Sequence, residues 1–390
     1  MAKKVVLAYS GGLDTSVCVS WLKNKGYEVI ALLIDLGQDE DFKAIKRRAQ
    51  ISGASKIYIK EVKQEFIREY IWPALKANAI YEGKYMLATA LGRPLIAKHL
   101  VAVAQKEQAE FVAHGCTGKG NDQVRIEVSI QALDAKMKVL APVREWEFKS
   151  RDAEIAYLEK NNIKINVSHK KPYSLDKNLW GVSIECGVLE DPWSEPPEDA
   201  YQMTANSHNA PKMPKYVEIG FEQGIPVSIN NRKIPAEKLI AEINKIAAQY
   251  RIGRSDLVEN RLVGIKSREI YEAPAATVLY SAHKELESLV LDREILHFKE
   301  QVALKYAELI YYGLWFTPLK QALDKFIDYT QHKVTGIVRV KLSANQCAPV
   351  GRKSPHSLYN KRLATYSAED EFDQKLAKGF IDLWALPYKK

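Results

Sequence analysis

The sequence predicts an α/β protein: a doubly wound, mostly parallel sheet in the first domain, an α+β second domain and a C-terminal amphipathic helix. Three observations support this prediction. Short apolar runs alternate with helical patterns over about the first 165 residues. From about residue 170, Pro, Trp and Gly interrupt this alternation, and about the last 30 residues return to helical spacing. We therefore expect domains at residues 1–168 and 169–362, followed by a C-terminal amphipathic helix within 363–390.

The first domain contains five apolar runs that we predict to be strands: residues 5–9, 29–35, 57–59, 111–113 and 139–142. Helical patterns lie between them, at residues 15–25, 42–52, 63–77 and 93–106. Gly26 and Gly53 follow the first two helices, where a left-handed cap is expected. Alternation of this kind predicts parallel strands with helices on both faces. Ligands bind such sheets beyond the carboxyl ends of the strands.

The second region alternates in shorter segments, which indicates an α+β domain. The predicted elements are strands at 216–221, 227–230 and 336–342, a hairpin turn at Asn230-Asn231, and helices at 236–250 and 292–312. A final helix is predicted at 369–386, where five apolar residues share one side: Phe372, Leu376, Phe380, Leu383 and Trp384. Two interpretations stay open for this face. It packs on its own subunit, or it is exchanged into a neighbouring one.

Composition excludes several classes of protein. The chain has 390 residues, of which 46% are hydrophobic and 27% charged, as in ordinary globular proteins. It lacks a run of about 18 uncharged apolar residues and any room for a signal peptide before the first strand, so we expect no membrane contact. Four separated cysteines without a C-x-x-C pair fit the cytoplasm. The net charge of +9 is dispersed among acidic residues, and we expect no nucleic-acid partner.

The most informative motif is the first glycine loop, residues 8–16, which lies between the first predicted strand and helix. Such a turn directs backbone N–H groups and the positive end of a helix dipole at one point, where an anion can bind. Gly11 and Gly12 allow close approach, and Ser10, Thr15 and Ser16 add hydroxyl donors. No lysine is present, so the loop differs from the nucleoside-triphosphate loop. It resembles the pyrophosphate loop, S-G-G-x-D-[ST], of enzymes that split ATP into AMP and pyrophosphate; a turn without a ligand is the alternative.

A second glycine loop, residues 114–125, follows the strand predicted at 111–113 and therefore lies at the same edge of the sheet. Arg125 can bind a carboxylate through two hydrogen bonds, and Asp122 can neutralise an ammonium group. Other polar side chains there can orient a substrate or hold phosphate: Thr117, Lys119 and Asn121. These groups suit a zwitterionic substrate. The alternative is an exposed polar loop without function.

With these loops, further motifs in a fixed order make the whole chain resemble the argininosuccinate synthase family. The motifs lie at residues 8–16, 81–85, 93–99, 114–125, 171–174, 187–193, 258–261, 266–268, 271–272, 306–309 and 350–354. The resemblance implies an ATP-dependent ligase that condenses citrulline with aspartate to argininosuccinate, AMP and pyrophosphate through a citrullyl-adenylate. It also implies arginine biosynthesis or the urea cycle, a homotetramer, and Mg²⁺ on the ATP phosphates rather than in a site made by protein alone.

The same resemblance implies the residues that bind each substrate. For ATP they are Ala8, Tyr9, Ser10, Gly11, Gly12, Leu13, Asp14, Thr15, Ser16 and Gly115. For citrulline they are Tyr85, Asn121, Arg125, Ser174, Ser183, Glu259 and Tyr271. For aspartate they are Thr117, Asn121 and Asp122. Without the resemblance, Glu259 reads as an ordinary salt-bridge partner, and the isolated hydroxyls read as surface or core groups.

Three departures from the family pattern concern affinity rather than the reaction. Ala90 stands where the family has a serine that contacts citrulline, and Thr89 is a candidate to replace that hydrogen bond. Ile34 stands where a small residue usually lies near the adenine. The sequence at 274–276 is Pro-Ala-Ala in place of Pro-Gly-Gly.

Three other functions are weighed against this one. An RNA-modifying enzyme of the same superfamily, such as a thiolase or lysidine synthase, fits the positive charge, but Cys116 and Cys186 lack paired catalytic neighbours and no basic stripe is evident. A nucleotide-binding sensor would not need about 200 further residues rich in matching motifs. An amidotransferase-type synthetase would need an N-terminal cysteine or a glutaminase segment.

Overall fold

The computed structural model describes residues 2–161, 163, 173–206 and 210–389. The first sheet has five strands in the order β3-β2-β1-β4-β5, and all are parallel, which confirms the prediction of a mostly parallel sheet. Its strands are β1 (Lys3–Ala8), β2 (Tyr27–Asp35), β3 (Lys56–Glu61), β4 (Phe111–Ala113) and β5 (Lys138–Leu140). The predicted domain boundary at 168/169 lies outside the described residues, as do the first two residues of the motif at 171–174.

Helices cover both faces of this sheet. They are α1 (Leu13–Asn24), α2 (Phe42–Ser52), α3 (Lys63–Phe66), α4 (Trp72–Lys76), α5 (Ala88–Glu107), α6 (Asn121–Leu133), α7 (Pro142–Glu145) and α8 (Arg151–Lys160), with a π-helical turn at Ile67–Ile71 between α3 and α4. Successive strand residues point to opposite faces, so Val6 and Ile30 enter one apolar core while Val5 and Ala31 enter another. The doubly wound prediction is confirmed.

The backbone geometry confirms the caps predicted at the first two helix ends, but two other helices do not start at the predicted residues. Gly26 and Gly53 have φ of +86° and +104°, which confirms the left-handed caps. Helix α5 begins at Ala88, earlier than the predicted residue 93. The second glycine loop ends at Gly120, so its last five residues were wrongly predicted as loop and belong to α6. The glycines and charged residues of this segment are typical of a loop, so the helix start was not predicted. A carboxylate in the first turn of a helix is favoured by the helix dipole.

The second region contains two antiparallel sheets, which fits the α+β prediction. One has the order β10-β9-β8-β13-β14, with β8 (Lys215–Glu222), β9 (Ile225–Ile229), β10 (Arg232–Lys233), β13 (Gly336–Ser343) and β14 (Gln346–Lys353). The other has the order β11-β12-β7-β6, with β6 (Ser174–Asn178), β7 (Gly181–Glu185), β11 (Arg254–Asn260) and β12 (Lys266–Glu272). Its helices are α9 (Ala236–Gln249), α10 (Pro274–Val290), α11 (Arg293–Tyr311) and α12 (Pro318–Thr330). Asn230 and Asn231 both have positive φ, as the predicted hairpin turn requires.

The tail forms two short helices, α13 (Lys361–Ala364) and α14 (Leu376–Trp384). The predicted start at 369 is wrong, because the Asp370 and Asp373 side chains accept hydrogen bonds from the backbone N–H groups two residues ahead and favour turns. The five apolar side chains of the predicted face are 50 to 70% exposed. Packing of this face on its own subunit is therefore not seen.

The four-stranded sheet lies against the carboxyl end of the parallel sheet, where the two glycine loops meet. Asn178 Nδ2 donates to the carbonyl of Ala88 at 2.7 Å, and Leu179 N donates to the carbonyl of Leu36 at 2.9 Å. These bonds fix the second region against the first around a common cleft. None of the helices in the described ranges is long and apolar enough to cross a membrane.

Candidate active site

The first glycine loop has the backbone geometry of an anion site. Gly11 has φ of +80°, and a Cβ there would lie 2.7 Å from Ile45 Cγ2. Only glycine tolerates both the positive φ and the lack of space for a Cβ atom. Gly12 precedes α1, and no side chain caps the helix, so its first N–H groups are available to a ligand.

Hydroxyl groups of the loop divide into two sets. Ser10 Oγ lies 3.1 Å from Thr15 Oγ1, and both residues line the pocket described below. Ser16 Oγ donates to the carbonyl of Gly12 at 2.8 Å and lies 2.9 Å from the Tyr9 hydroxyl. Ser16 and Leu13 are buried and are not among the residues that line the pocket, so we infer that they maintain the shape of the loop.

A pocket of about 230 Å³ opens above the loop. Its floor contains five of the residues predicted to bind ATP: Ala8, Tyr9, Ser10, Thr15 and Gly115. An apolar wall is formed by Leu32, Ile34, Leu36 and Ile96. The family departure at Ile34 therefore adds apolar surface to this wall. Asp176, Lys177 and Asn178 of β6 close the opposite side. An anion-binding floor beneath an apolar slot suits a nucleotide.

The second glycine loop is held close to the first. A Cβ on Gly115 would lie 3.0 Å from Thr15 Cγ2, so this glycine permits the contact between the loops. Buried His114 accepts a hydrogen bond from Cys116 N at its Nδ1, and its Nε2 lies 3.0 Å from Glu127 Oε1. Thr117 and Lys119 are exposed at the mouth of the cleft.

Beyond this loop, two arginines share one carboxylate. Arg93 donates to Asp122 Oδ2 at 2.7 Å and Arg125 donates to Asp122 Oδ1 at 2.9 Å, while Arg93 also contacts Asp176. Burial alone would raise the pKa of Asp122, but the two guanidiniums hold it well below its usual range. Arg125 is further fixed by the Tyr311 carbonyl at 2.8 Å and by the Tyr311 ring, 4.5 Å from its guanidinium carbon.

Across the cleft, one face of the four-stranded sheet carries polar side chains. Strand register places Asp176 opposite Ser183, and Ser183 opposite Tyr271. Directly opposed residues, and residues two apart, share a face. The polar side chains of this face include Ser174, Asp176, Ser183, Glu185, Glu259, Glu269 and Tyr271, and the apolar Leu257 lies on the same face. This polar face brings together four residues predicted to bind citrulline: Ser174, Ser183, Glu259 and Tyr271.

Glu259 is the most buried acid of this face, at 1% exposure. The hydroxyls of Tyr271 and Tyr311 each donate to it at 2.5 Å. Burial and the neighbouring Glu269 raise the pKa of Glu259 to about 7, although these hydrogen bonds oppose the shift. Asn121 Nδ2 donates to the Tyr311 hydroxyl at 2.7 Å, which connects α6 to the same cluster. A buried carboxylate so arranged has a strong preference for a cationic ligand.

Tyr85 packs against Tyr271, which binds Glu259. Its ring stacks on Tyr271 with centroids 3.9 Å apart. Its hydroxyl lies 2.7 Å from Thr89 Oγ1 and accepts a hydrogen bond from Ala90 N at 3.1 Å. At the family departure, the Ala90 backbone and the Thr89 hydroxyl thus both bind the tyrosine that is predicted to contact citrulline.

Several residues of the cleft were missed by the sequence analysis: Arg93, Asp176, Glu185, Arg261, Glu269 and Tyr311. Arg261 donates to Glu185 at 2.6 Å and to Glu269 at 2.8 Å. Asp176 and Glu185 each lie two residues after a predicted serine, so the period of a strand could have indicated them. Tyr311 lies far along the chain on α11, and no local signal marks it.

A lysine-free glycine loop that lines a partly apolar pocket, at the carboxyl end of a parallel sheet, defines an ATP-binding domain of the ATP-pyrophosphatase class. Residues 4–164 match the arginosuccinate synthase N-terminal HUP domain, and residues 173–390 match the arginosuccinate synthase C-terminal domain. The chain therefore belongs to the argininosuccinate synthase family and is an ATP-using ligase of arginine biosynthesis.

Relatives of this family cover nearly the whole chain. The argininosuccinate synthase of Halalkalibacterium halodurans is 58% identical over 387 residues, 99% of this chain and 94% of that protein. That of Geobacillus thermodenitrificans is 58% identical over 386 residues, 99% of this chain and 95% of that protein. That of Bacillus thuringiensis is 56% identical over 387 residues, 99% of this chain and 96% of that protein.

Proposed function

We propose that the cleft between the nucleotide pocket and the polar face condenses citrulline with aspartate, through a citrullyl-adenylate. The products are argininosuccinate, AMP and pyrophosphate. The observation that carries this proposal is the position of the polar face. The polar face and the nucleotide pocket share strand β6, because Asp176 lies on that face and also lines the pocket. A substrate on that face lies within reach of the α-phosphate of ATP.

Citrulline fits the deep end of the cleft. Glu259 is the partner for its ammonium group, and Arg125 is the partner for its carboxylate. The stacked rings of Tyr85 and Tyr271 offer an apolar surface to its aliphatic stem. Hydrogen bonds from Asn121, Ser174 and Ser183 complete the site.

Aspartate fits the mouth of the cleft. The Asp122 carboxylate is partly exposed, at 31% of its side chain, and is the partner for the aspartate ammonium. Thr117 and Asn121 are the neutral donors next to it. This position lies between the citrulline site and the exposed end of the second glycine loop.

The chemistry requires positioning and charge stabilisation. A ureido carbonyl is a poor electrophile because its nitrogens donate into it, so its oxygen first attacks the α-phosphorus and expels pyrophosphate. The aspartate amine then displaces AMP. Neither step uses a protein nucleophile, and the backbone N–H groups of the first glycine loop stabilise the phosphate oxygens.

The loop also offers a fitting position for Mg²⁺. Asp14, in the first turn of α1, lies beside Glu154 of α8, whose Oε2 is buried without a hydrogen-bond partner among the described residues. Two neighbouring carboxylates, one of them within the first glycine loop, fit a hard cation that takes its other ligands from ATP and water. When bound, Mg²⁺ neutralises phosphate charge; Asp14 and Glu154 would hold it.

The proposal extends to location and assembly. Four free cysteines fit the cytoplasm. The exposed apolar face of α14 fits a homotetramer in which another copy covers it, since contiguous apolar patches mark interaction surfaces. Sedimentation of the intact chain, compared with a chain ending at residue 360, tests this assembly.

ATP–pyrophosphate exchange tests the reaction. Exchange that depends on citrulline, but requires neither aspartate nor RNA, is expected. Heavy oxygen placed in the ureido group of citrulline should then appear in AMP after aspartate is added. Exchange stimulated only by transfer RNA, or label retained in the organic product, would reject the proposed function.

A further inference from the structure

Arg93 lies where the two substrate positions meet the nucleotide pocket. Its guanidinium donates to Asp122 at 2.7 Å and contacts Asp176. The same side chain lines the nucleotide pocket together with Ser10 and Gly115. One cation therefore reaches from the aspartate position to the region of the ATP phosphates.

The positive charge of Arg93 is balanced by neighbouring carboxylates. Two guanidiniums, of Arg93 and Arg125, face two carboxylates, of Asp122 and Asp176. Because Arg93 contacts both carboxylates, its charge is largely neutralised before a substrate binds. Only 14% of its side chain is exposed, so this pairing takes place with little solvent screening.

A cation that arrives at Asp122 must compete with the two arginines for the same oxygens. Arg125 has independent anchors in the carbonyl and ring of Tyr311. Arg93 can leave Asp122 and still keep Asp176, which lines the nucleotide pocket. Exchange at Asp122 therefore displaces Arg93 more readily than Arg125, and displaces it toward the nucleotide.

We propose that the ammonium of aspartate replaces Arg93 at Asp122, and that the released guanidinium then binds the α-phosphate of the citrullyl-adenylate. The inference rests on the proposed function and deepens it. Aspartate binding thereby supplies the positive charge that the departing AMP requires. A guanidinium suits this role because it can form two parallel hydrogen bonds with phosphate oxygens.

In this half-reaction one bond to the ureido carbon forms and one breaks. The aspartate ammonium gives one proton to water and becomes an amine. Its nitrogen forms a bond to the ureido carbon, while the bond from that carbon to the AMP oxygen breaks and its electron pair leaves with AMP. A second proton passes from the new C–N nitrogen to water. Negative charge grows on the phosphate, and Arg93 stabilises it there.

Two assays on the full chain separate the half-reactions in an Arg93→Gln variant. Citrulline-dependent ATP–pyrophosphate exchange without aspartate reports adenylation. Rapid-quench formation of AMP, after saturating aspartate is added to the preformed adenylate, reports the second step. We expect AMP formation to slow at least about tenfold, while exchange stays within about threefold of wild type. Arg93→Lys, which keeps the charge, should recover part of the AMP rate.

The matched control is Arg339→Gln, which breaks a surface pair with Glu218 and should leave both assays unchanged. An equal loss in both assays would overturn the inference, because it indicates that Arg93 only maintains the fold. A higher KM for aspartate with an unchanged maximal AMP rate would also overturn it, because Arg93 would then bind an aspartate carboxylate. Absence of citrulline-dependent exchange in the wild type would instead reject the proposed function. If the Gln variant does not fold, the Lys variant is measured in the same two assays, and a smaller loss confined to AMP formation is expected.

Discussion

The first glycine loop and the polar face of the four-stranded sheet serve one cleft, but the sequence encodes them differently. The loop is nine consecutive residues whose function depends on local backbone geometry, such as the positive φ of Gly11. The polar face is built from four strands spread over residues 174–272, and it exists only when their register is set. A contiguous motif therefore reveals the ATP site directly, whereas the amino-acid site depends on long-range pairing.

The largest effect should follow a change in the loop. Gly11→Ala places a Cβ 2.7 Å from Ile45 Cγ2 at a φ of +80°, so the loop must move. We expect kcat/KM for ATP to fall at least about 100-fold, as for other losses of oxyanion donors. Gly26→Ala is the matched control: φ is +86° but the space is open, so it should cost about 1–2 kcal/mol of stability without lowering kcat/KM. Equal kinetic loss in both variants would contradict the steric argument.

A change on the polar face should affect one substrate only. Glu259→Gln removes the charge that faces the citrulline ammonium, and a hydrogen bond to a charged group contributes about 1.5–3 kcal/mol. Steady-state kinetics should show KM for citrulline raised about 10- to 100-fold, with KM for ATP unchanged.

The control for this variant lies on the opposite face of the same sheet. Glu272 accepts hydrogen bonds from the backbone N–H groups of Gln202, Met203 and Thr204. Glu272→Gln should lower the free energy of unfolding and leave KM for citrulline unchanged. If Glu272→Gln raised that KM as much as Glu259→Gln, the division into faces would be wrong.

The pH dependence should be of intermediate size. With its pKa raised to about 7, Glu259 loses most of its charge between pH 8 and pH 6, so KM for citrulline should rise about tenfold over that range. The folded state holds this proton more tightly than the unfolded state. Its contribution to stability is therefore complete below about pH 4.5 and is lost as pH rises through 7.

Glu259→Gln checks both effects of pH. The variant should flatten the KM profile, and urea unfolding should show wild type losing stability relative to the variant from pH 5 to pH 8. A variant that retains the wild-type KM profile would assign the titration to another group.

The smallest effect should come from the family departure near Tyr85. Thr89→Val removes the hydroxyl that lies 2.7 Å from the Tyr85 hydroxyl and should cost about 1 kcal/mol, or roughly a fivefold rise in KM for citrulline. Thr89→Ser keeps the hydroxyl and should stay near wild type. If the Val and Ser variants behaved alike, the hydrogen bond would have no part in binding.

Most features set by local sequence were predictable, whereas features set by long-range contacts were not. The caps at Gly26 and Gly53 and the first glycine loop were predictable because each is set by neighbouring residues, and the parallel sheet was predictable because strand and helix patterns alternate along the chain. The start of α6 at Asn121 was missed because its residues resemble a polar loop, and the tail helix began later than expected because two aspartates favour turns. Ser174, Ser183, Glu259 and Tyr271 were indicated by family resemblance alone. Their placement on one face needed strand register, and Arg93 and Tyr311 needed the packed cleft.

The wall that β6 contributes to the nucleotide pocket has a consequence for folding. Asp176, Lys177 and Asn178 belong to the second region, yet they enclose a ligand bound mainly by the first. Nucleotide is thus a shared ligand of both halves, and mass action raises the stability of each in proportion to the logarithm of its concentration. Saturating ATP should therefore bring the unfolding temperatures of the two halves closer together and slow the proteolysis of both.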